Sequence, residues 1–141
     1  MDKYMKANIV FSKFARDYTW LKKYLPIRQS EMAVINIITQ RKERHTPLMI
    51  AELLGVSKPM VAALISSLEE KGYLTKETSD TDGRSFYLIP TEKAAELADD
   101  FNARQTEYLK NIESRIGEVN FDELIRLLDK TERAIANIRE E

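Results

Sequence analysis

Between Thr46 and Ala94 the chain runs TPLMIAELLGVSKPMVAALISSLEEKGYLTKETSDTDGRSFYLIPTEKA, where start and stop signals follow one another so closely that only short elements fit. Thr46 has a hydroxyl that can cap free helix amides, and Pro47 occupies the first helical position, where its missing N–H costs nothing. Gly55 ends that helix. Ser57 caps the next one, in which Val61, Leu64, Ile65 and Leu68 recur three and four residues apart and form a single apolar stripe that must face a core. Lys58, Pro59, Met60, Ala63, Ser66 and Ser67 are thereby expected to face outward. Gly72 stops this second helix. The segments 73–78 and 85–89 are rich in aromatic and β-branched residues, as strands are, and 79–84 is the polar loop between them. Thr91 then restarts a helix.

Two short helices, a turn, a two-stranded hairpin and a further helix make a winged helix-turn-helix, a module suited to reading DNA. A helix fits the major groove of B-form DNA, and a hairpin loop tipped by Arg84 can reach the narrower minor groove beside it. Taken alone, Asp82 and Gly83 read first as a tight hairpin turn, which would leave Arg84 a solvated strand-end cation; the helix-turn-helix before them and the capped helix after them favour the DNA reading.

Asp82, Gly83 and Arg84, followed by Leu88, Pro90 and Thr91, resemble the wing signature of the multiple-antibiotic-resistance regulator (MarR) family. The helix order outside the module is similar as well, so the resemblance extends over essentially the whole chain although its specific motif spans about ten residues. It implies a homodimeric transcriptional regulator, often a repressor released by a small molecule. By that resemblance Arg84 enters the minor groove while Asp82 orients it, and Ser57 and Lys58 fall where the family contacts phosphates or bases. Relatives commonly carry Thr and Arg at positions 62 and 63. Here Ala62 and Ala63 remove bidentate readout of guanine, leaving apolar contact to thymine methyls, hydroxyl contacts and groove shape. Ala94 also stands where relatives usually have glycine.

The fold class expected is mainly α with a small β-hairpin wing. One domain spans 1–141, with the winged helix-turn-helix over 28–91 and helical dimerisation parts over 1–25 and 92–141. Tyr4, Ala7, Phe11, Phe14, Tyr18, Leu21 and Leu25 recur at alternating spacings of three and four, a seam expected to continue until Pro26 ends the helix. A long helix from Thr91 is expected to end near Gly117, and Asn120, with Glu123 three residues on, to cap the last one. Such helices carry more apolar surface than one small module can cover. A second copy is the economical partner, because a two-fold dimer presents two reading helices to a pseudo-palindromic site.

Net charge is −1, but it divides as +6 over residues 1–45, −2 over 46–91 and −5 over 92–141. The DNA-reading module is thus slightly acidic, which limits nonspecific phosphate binding. Added cations would come from Arg28, Arg41, Lys42 and Arg44; the plainer reading of RKERH is a solvated helix end. With no cysteine there is neither a disulfide framework nor a thiol-oxidation switch. No apolar run is long enough to span a bilayer, no targeting segment opens the chain, and a soluble cytoplasmic protein is expected.

No catalytic chemistry is legible. His45, the single histidine, is expected in an exposed loop without a partner for a triad or a metal site. Neither cofactor nor metal is expected, and no enzyme. If an effector binds, it is apolar or aromatic and lies among Phe14, Tyr18, Trp20, Met32 and Ile35, whose plainer role is core. The alternative to a DNA reader is a winged-helix protein-interaction module with weak or no DNA binding, which the acidic module and the two alanines favour.

Overall fold

The computed structural model describes residues 1–19, 24–78 and 85–141. Its elements, in chain order, are α1 (Lys3–Tyr18), α2 (Gln29–Gln40), α3 (Pro47–Leu54), α4 (Lys58–Glu70), β1 (Leu74–Thr78), β2 (Phe86–Pro90), α5 (Glu92–Ile116) and α6 (Glu118–Glu140). Residues Met1–Asp100 and Phe101–Glu141 are two compact units.

The start and stop signals act as local chemistry requires. Thr46 Oγ1 accepts the Met49 amide at 3.3 Å with Pro47 in the first turn, and Ser57 Oγ accepts the Met60 amide at 3.3 Å. Gly55 closes α3 at φ 66°, a left-handed conformation that a side chain resists, and α4 leaves α3 at 116°. That angle is typical of a helix-turn-helix. Gly72, at φ 83°, turns the chain from α4 into the hairpin.

The core lies where α2 packs on α3, α4 and β2. Val34, Ile35 and Ile38 from α2, Ile50 from α3, and Val61, Leu64, Ile65 and Leu68 from α4 are all buried, closed by Leu74 and Leu88 from the hairpin. The strands pair antiparallel with Lys76 opposite Leu88. Thr91 caps α5 by accepting the Ala94 amide at 3.3 Å, and its hydroxyl donates to the Gly72 carbonyl at 2.8 Å. Beside it Lys93 Nζ donates to the Lys71 carbonyl at 2.7 Å and lies over the Tyr73 ring. The start of α5 is thereby latched to the turn that ends α4. Ala94 and Ala98 are fully buried there.

Three expectations are corrected. α1 ends at Tyr18 rather than at Pro26: Thr19 caps it, its amide reaching Ala15 O and its hydroxyl donating to Arg16 O at 2.9 Å, a local bond that competes with continuing the helix. Asn120 does not cap α6. It sits inside that helix and donates to the Ile116 carbonyl at 2.8 Å, while Glu123 pairs with Arg126 and Gly117 holds the cap position. His45 is not exposed at all. It is 1 % accessible, and the connector touches the hairpin through a single isolated bridge in which the Leu88 amide donates to the His45 carbonyl at 2.8 Å. The His45 Nε2 makes no hydrogen bond, although the Glu43 carboxylate is 3.5 Å away.

Among the described residues, no single helix is long and apolar enough to cross a membrane. Ile50 and Ala51 of α3 and Val61, Leu64, Ile65 and Leu68 of α4 are used in the core.

Candidate nucleic-acid interface

The outward face of α4 follows from its buried one. With Val61, Leu64, Ile65 and Leu68 turned inward, Lys58, Pro59, Met60, Ala62, Ala63 and Ser66 are exposed together, and Ser57 lies exposed at the tip. This surface carries one cation, a small apolar patch and two hydroxyls, and the amides of the first turn contribute a partial positive charge.

Ser67 departs from the expected face. It is half-buried, and its hydroxyl donates to Glu31 Oε2 at 2.7 Å, so it points to α2 instead of outward. Glu31 is 1 % exposed and also accepts the Arg28 amide at 3.0 Å and Lys71 Nζ at 3.0 and 3.1 Å. Burial pushes its carboxyl up, but the bonds from Arg28 N–H, Ser67 and Lys71 outweigh that and hold it below the usual carboxylate range. This buried cluster escaped the sequence reading, though a glutamate just before an apolar run, three residues after the cap position Arg28, is the recognisable half of a capping box.

Asp82, Gly83, Arg84 and Trp20 lie outside the described residues, so the wing tip and one of the aromatic positions have no placement here. The other effector candidates lie on two different helices. Phe14 and Tyr18 stack on α1 with ring centres 5.6 Å apart, whereas Met32 and Ile35 are buried core residues of α2. A cavity of about 490 Å³ lies elsewhere, between the start of α3, α4 and the hairpin, lined by Pro47, Leu48, Lys58, Ala62, Ile65 and Phe86 among others, so that it borders the exposed face of α4.

The supplementary cations are partly engaged. Arg44 donates to Glu77 at 3.1 Å, and Arg41 lies 3.8 Å from Glu43. Lys76 lies 3.5 Å from Glu69 and over the Phe86 ring. Among the described residues, no three His, Asp or Glu side chains converge in a way that could hold a metal ion.

Residues 26–85 match the model of the MarR family. Over 96 % of its length the chain has the fold of MepR, a transcription regulator of the Staphylococcus aureus multidrug efflux pump MepA, at 15 % identity, 99 % coverage of that chain and a TM-score of 0.75. It is similar to MepR in a complex with DNA (17 % identity, 90 % of this chain and 96 % of that one, TM-score 0.76). Streptococcus pneumoniae FabT in complex with DNA is similar at 19 % identity, with 96 % and 95 % covered and a TM-score of 0.76. Over residues 26–85 the chain is thus similar to the MarR family, and with the helices around that segment it has the fold of these regulators.

Proposed function

We propose that this protein is a DNA-binding transcriptional regulator that reads a two-fold symmetric site as a homodimer and acts as a repressor. The observation that carries the reading is α4 itself, a 13-residue helix capped by Ser57, with one side fully buried and the other fully presented. In this reading Ser57 and Lys58 meet phosphates, and Met60 and Ala63 meet thymine methyls while Ser66 bonds a base or sugar edge. Asp82 and Arg84 are assigned to the minor groove on the strength of the family signature. MepR and FabT, whose structures were solved on DNA, support this use of the fold.

The homodimer is supported by α1, in which no residue is buried and Tyr4, Met5, Val10 and Phe11 are each more than half exposed. A second copy is the cover such a face calls for. Segments 1–25 and 92–141 are assigned to dimerisation and 28–91 to DNA. An apolar or aromatic effector is assigned to the neighbourhood of Phe14 and Tyr18, and the protein works in the cytoplasm, as a regulator and not an enzyme.

The test is selection of sites from random duplex DNA by the native chain and by Arg84→Ala at moderate salt. Enrichment of a symmetric site, lost in the variant, is the expected result. Absence of enrichment by the native chain would overturn the DNA reading in favour of a protein-interaction role, and equal enrichment by both would overturn the assignment of Arg84.

A further inference from the structure

Glu31 is a buried carboxylate that the DNA-facing surface does not use, and it joins the start of α2 to the end of α4. It lies in the first turn of α2, accepts the Arg28 amide at the cap of that helix, and takes Ser67 Oγ and Lys71 Nζ from the last turn of α4. Lys71 in turn accepts Lys93 Nζ from α5 through its carbonyl. The far end of α4 is therefore held by directed bonds to α2 and α5, while its near end, at Ser57 to Met60, is the exposed one.

We propose that Glu31 is a positioning residue that fixes the orientation of α4 for sequence discrimination; this rests on the DNA reading above. Apolar packing is non-directional, so the stripe Val61 to Leu68 keeps α4 against the core but tolerates small tilts and rotations. A carboxylate bonded from three directions tolerates few. From Lys58 to Glu70 the helix is about 18 Å long, so a tilt of about 3° about its anchored end displaces Lys58 by roughly 1 Å. Base-edge contacts need a hydrogen-bond geometry that such a displacement spoils, whereas phosphate attraction hardly changes over it. Lys71 is 41 % exposed, so only the glutamate of the pair is buried. An ion pair open to solvent contributes little net stability, and the best-attested use of a buried charged group is to set register.

These properties separate positioning from mere stability. The double substitution Glu31→Leu with Lys71→Met removes the ion pair without stranding either charge, and Ser67 can bond back to its own helix. The expected result is a thermal midpoint within a few degrees of native, unchanged affinity for random-sequence duplex, and a preference for the selected site reduced about tenfold. A variant that melts as the native chain does and keeps its full preference overturns the proposal, as does an equal loss of affinity for selected and random DNA. If the double variant does not fold, the preference for selected over random DNA is compared in Glu31→Gln, whose single amide oxygen can still accept the Arg28 amide while its Nε2 can only donate toward Ser67 and the ion pair with Lys71 is lost. A native chain that selects no site overturns the DNA reading, and the proposal with it; a native chain that selects one, matched by the variant, overturns the proposal alone.

Discussion

The Arg44 guanidinium donates to the Glu77 carboxylate at 3.1 Å and lies 5.6 Å from the centre of the Tyr87 ring, so this cation is a tie between the connector and the hairpin. Lys58, exposed at the tip of α4, is the cation best placed for a phosphate. The two should therefore part company in a salt titration. Lys58→Ala is expected to weaken binding to all sequences alike and to lower the salt slope by about one phosphate contact, while Arg44→Ala leaves the slope nearly unchanged. Affinity for a labelled duplex measured across a series of salt concentrations checks both. Equal losses of slope would place Arg44 on the DNA.

Acid should loosen the contact between α2 and α4. The folded-state pKa of Glu31 is lowered, so its contribution is fully present above the unfolded value of about 4.3 and is lost as pH falls through the folded value. Glu31→Gln is expected to be about 2 kcal/mol less stable than native at neutral pH. That gap should narrow below pH of about 4. Urea midpoints at neutral and acidic pH measure it, and a gap that stays constant into acid would mean that Glu31 titrates alike in both states.

Thr91 joins two structures with one hydroxyl, accepting the Ala94 amide and donating to the Gly72 carbonyl. Thr91→Ala should cost about 1 kcal/mol, as loss of a helix cap does. Thr91→Ser should recover most of it. Chemical denaturation of the three proteins decides, and an unaffected alanine variant would mean that water replaces both bonds.

Assembly can be tested on α1 without disturbing the winged module. Phe11 is 57 % exposed in the single chain, so Phe11→Asp should leave the secondary structure intact. It should shift the protein from dimer to monomer at concentrations where the native chain is dimeric. Sedimentation equilibrium reports this directly, and a native chain that is monomeric throughout would refute the homodimer.

The parts of the fold legible in the sequence are those decided within a few residues. Thr46 and Ser57 cap the helices that follow them, Gly55 and Gly72 take the left-handed turns, and the spacing of Val61, Leu64, Ile65 and Leu68 names the buried side of α4. Strand limits differed from expectation by one residue, since the ladder runs Leu74–Thr78 against Phe86–Pro90. What escaped was decided by partners far along the chain. Ser67 looks like an outward hydroxyl until Glu31, thirty-six residues earlier, claims it. His45 sits among charged neighbours that suggest solvent, yet its backbone is bridged to Leu88 and its side chain is buried. Met32 and Ile35 were candidates for an effector crevice and are core, the plainer role that their helical spacing allowed. On the proposed interface, the exposure of the α4 tip was legible, whereas the cluster that anchors its other end was visible only as the faint pattern of Arg28 and Glu31.

The exposed alanines at 62 and 63, beside Met60, have one more consequence. Side chains of this kind respond to a methyl group in the groove and not to the polar edge of the base that carries it. Thymine and a cytosine methylated at C5 differ in every hydrogen bond they offer in the major groove but share that methyl. For a reading surface of this composition the two bases are near-synonyms, and chemical marking of cytosine would extend the set of sites it accepts.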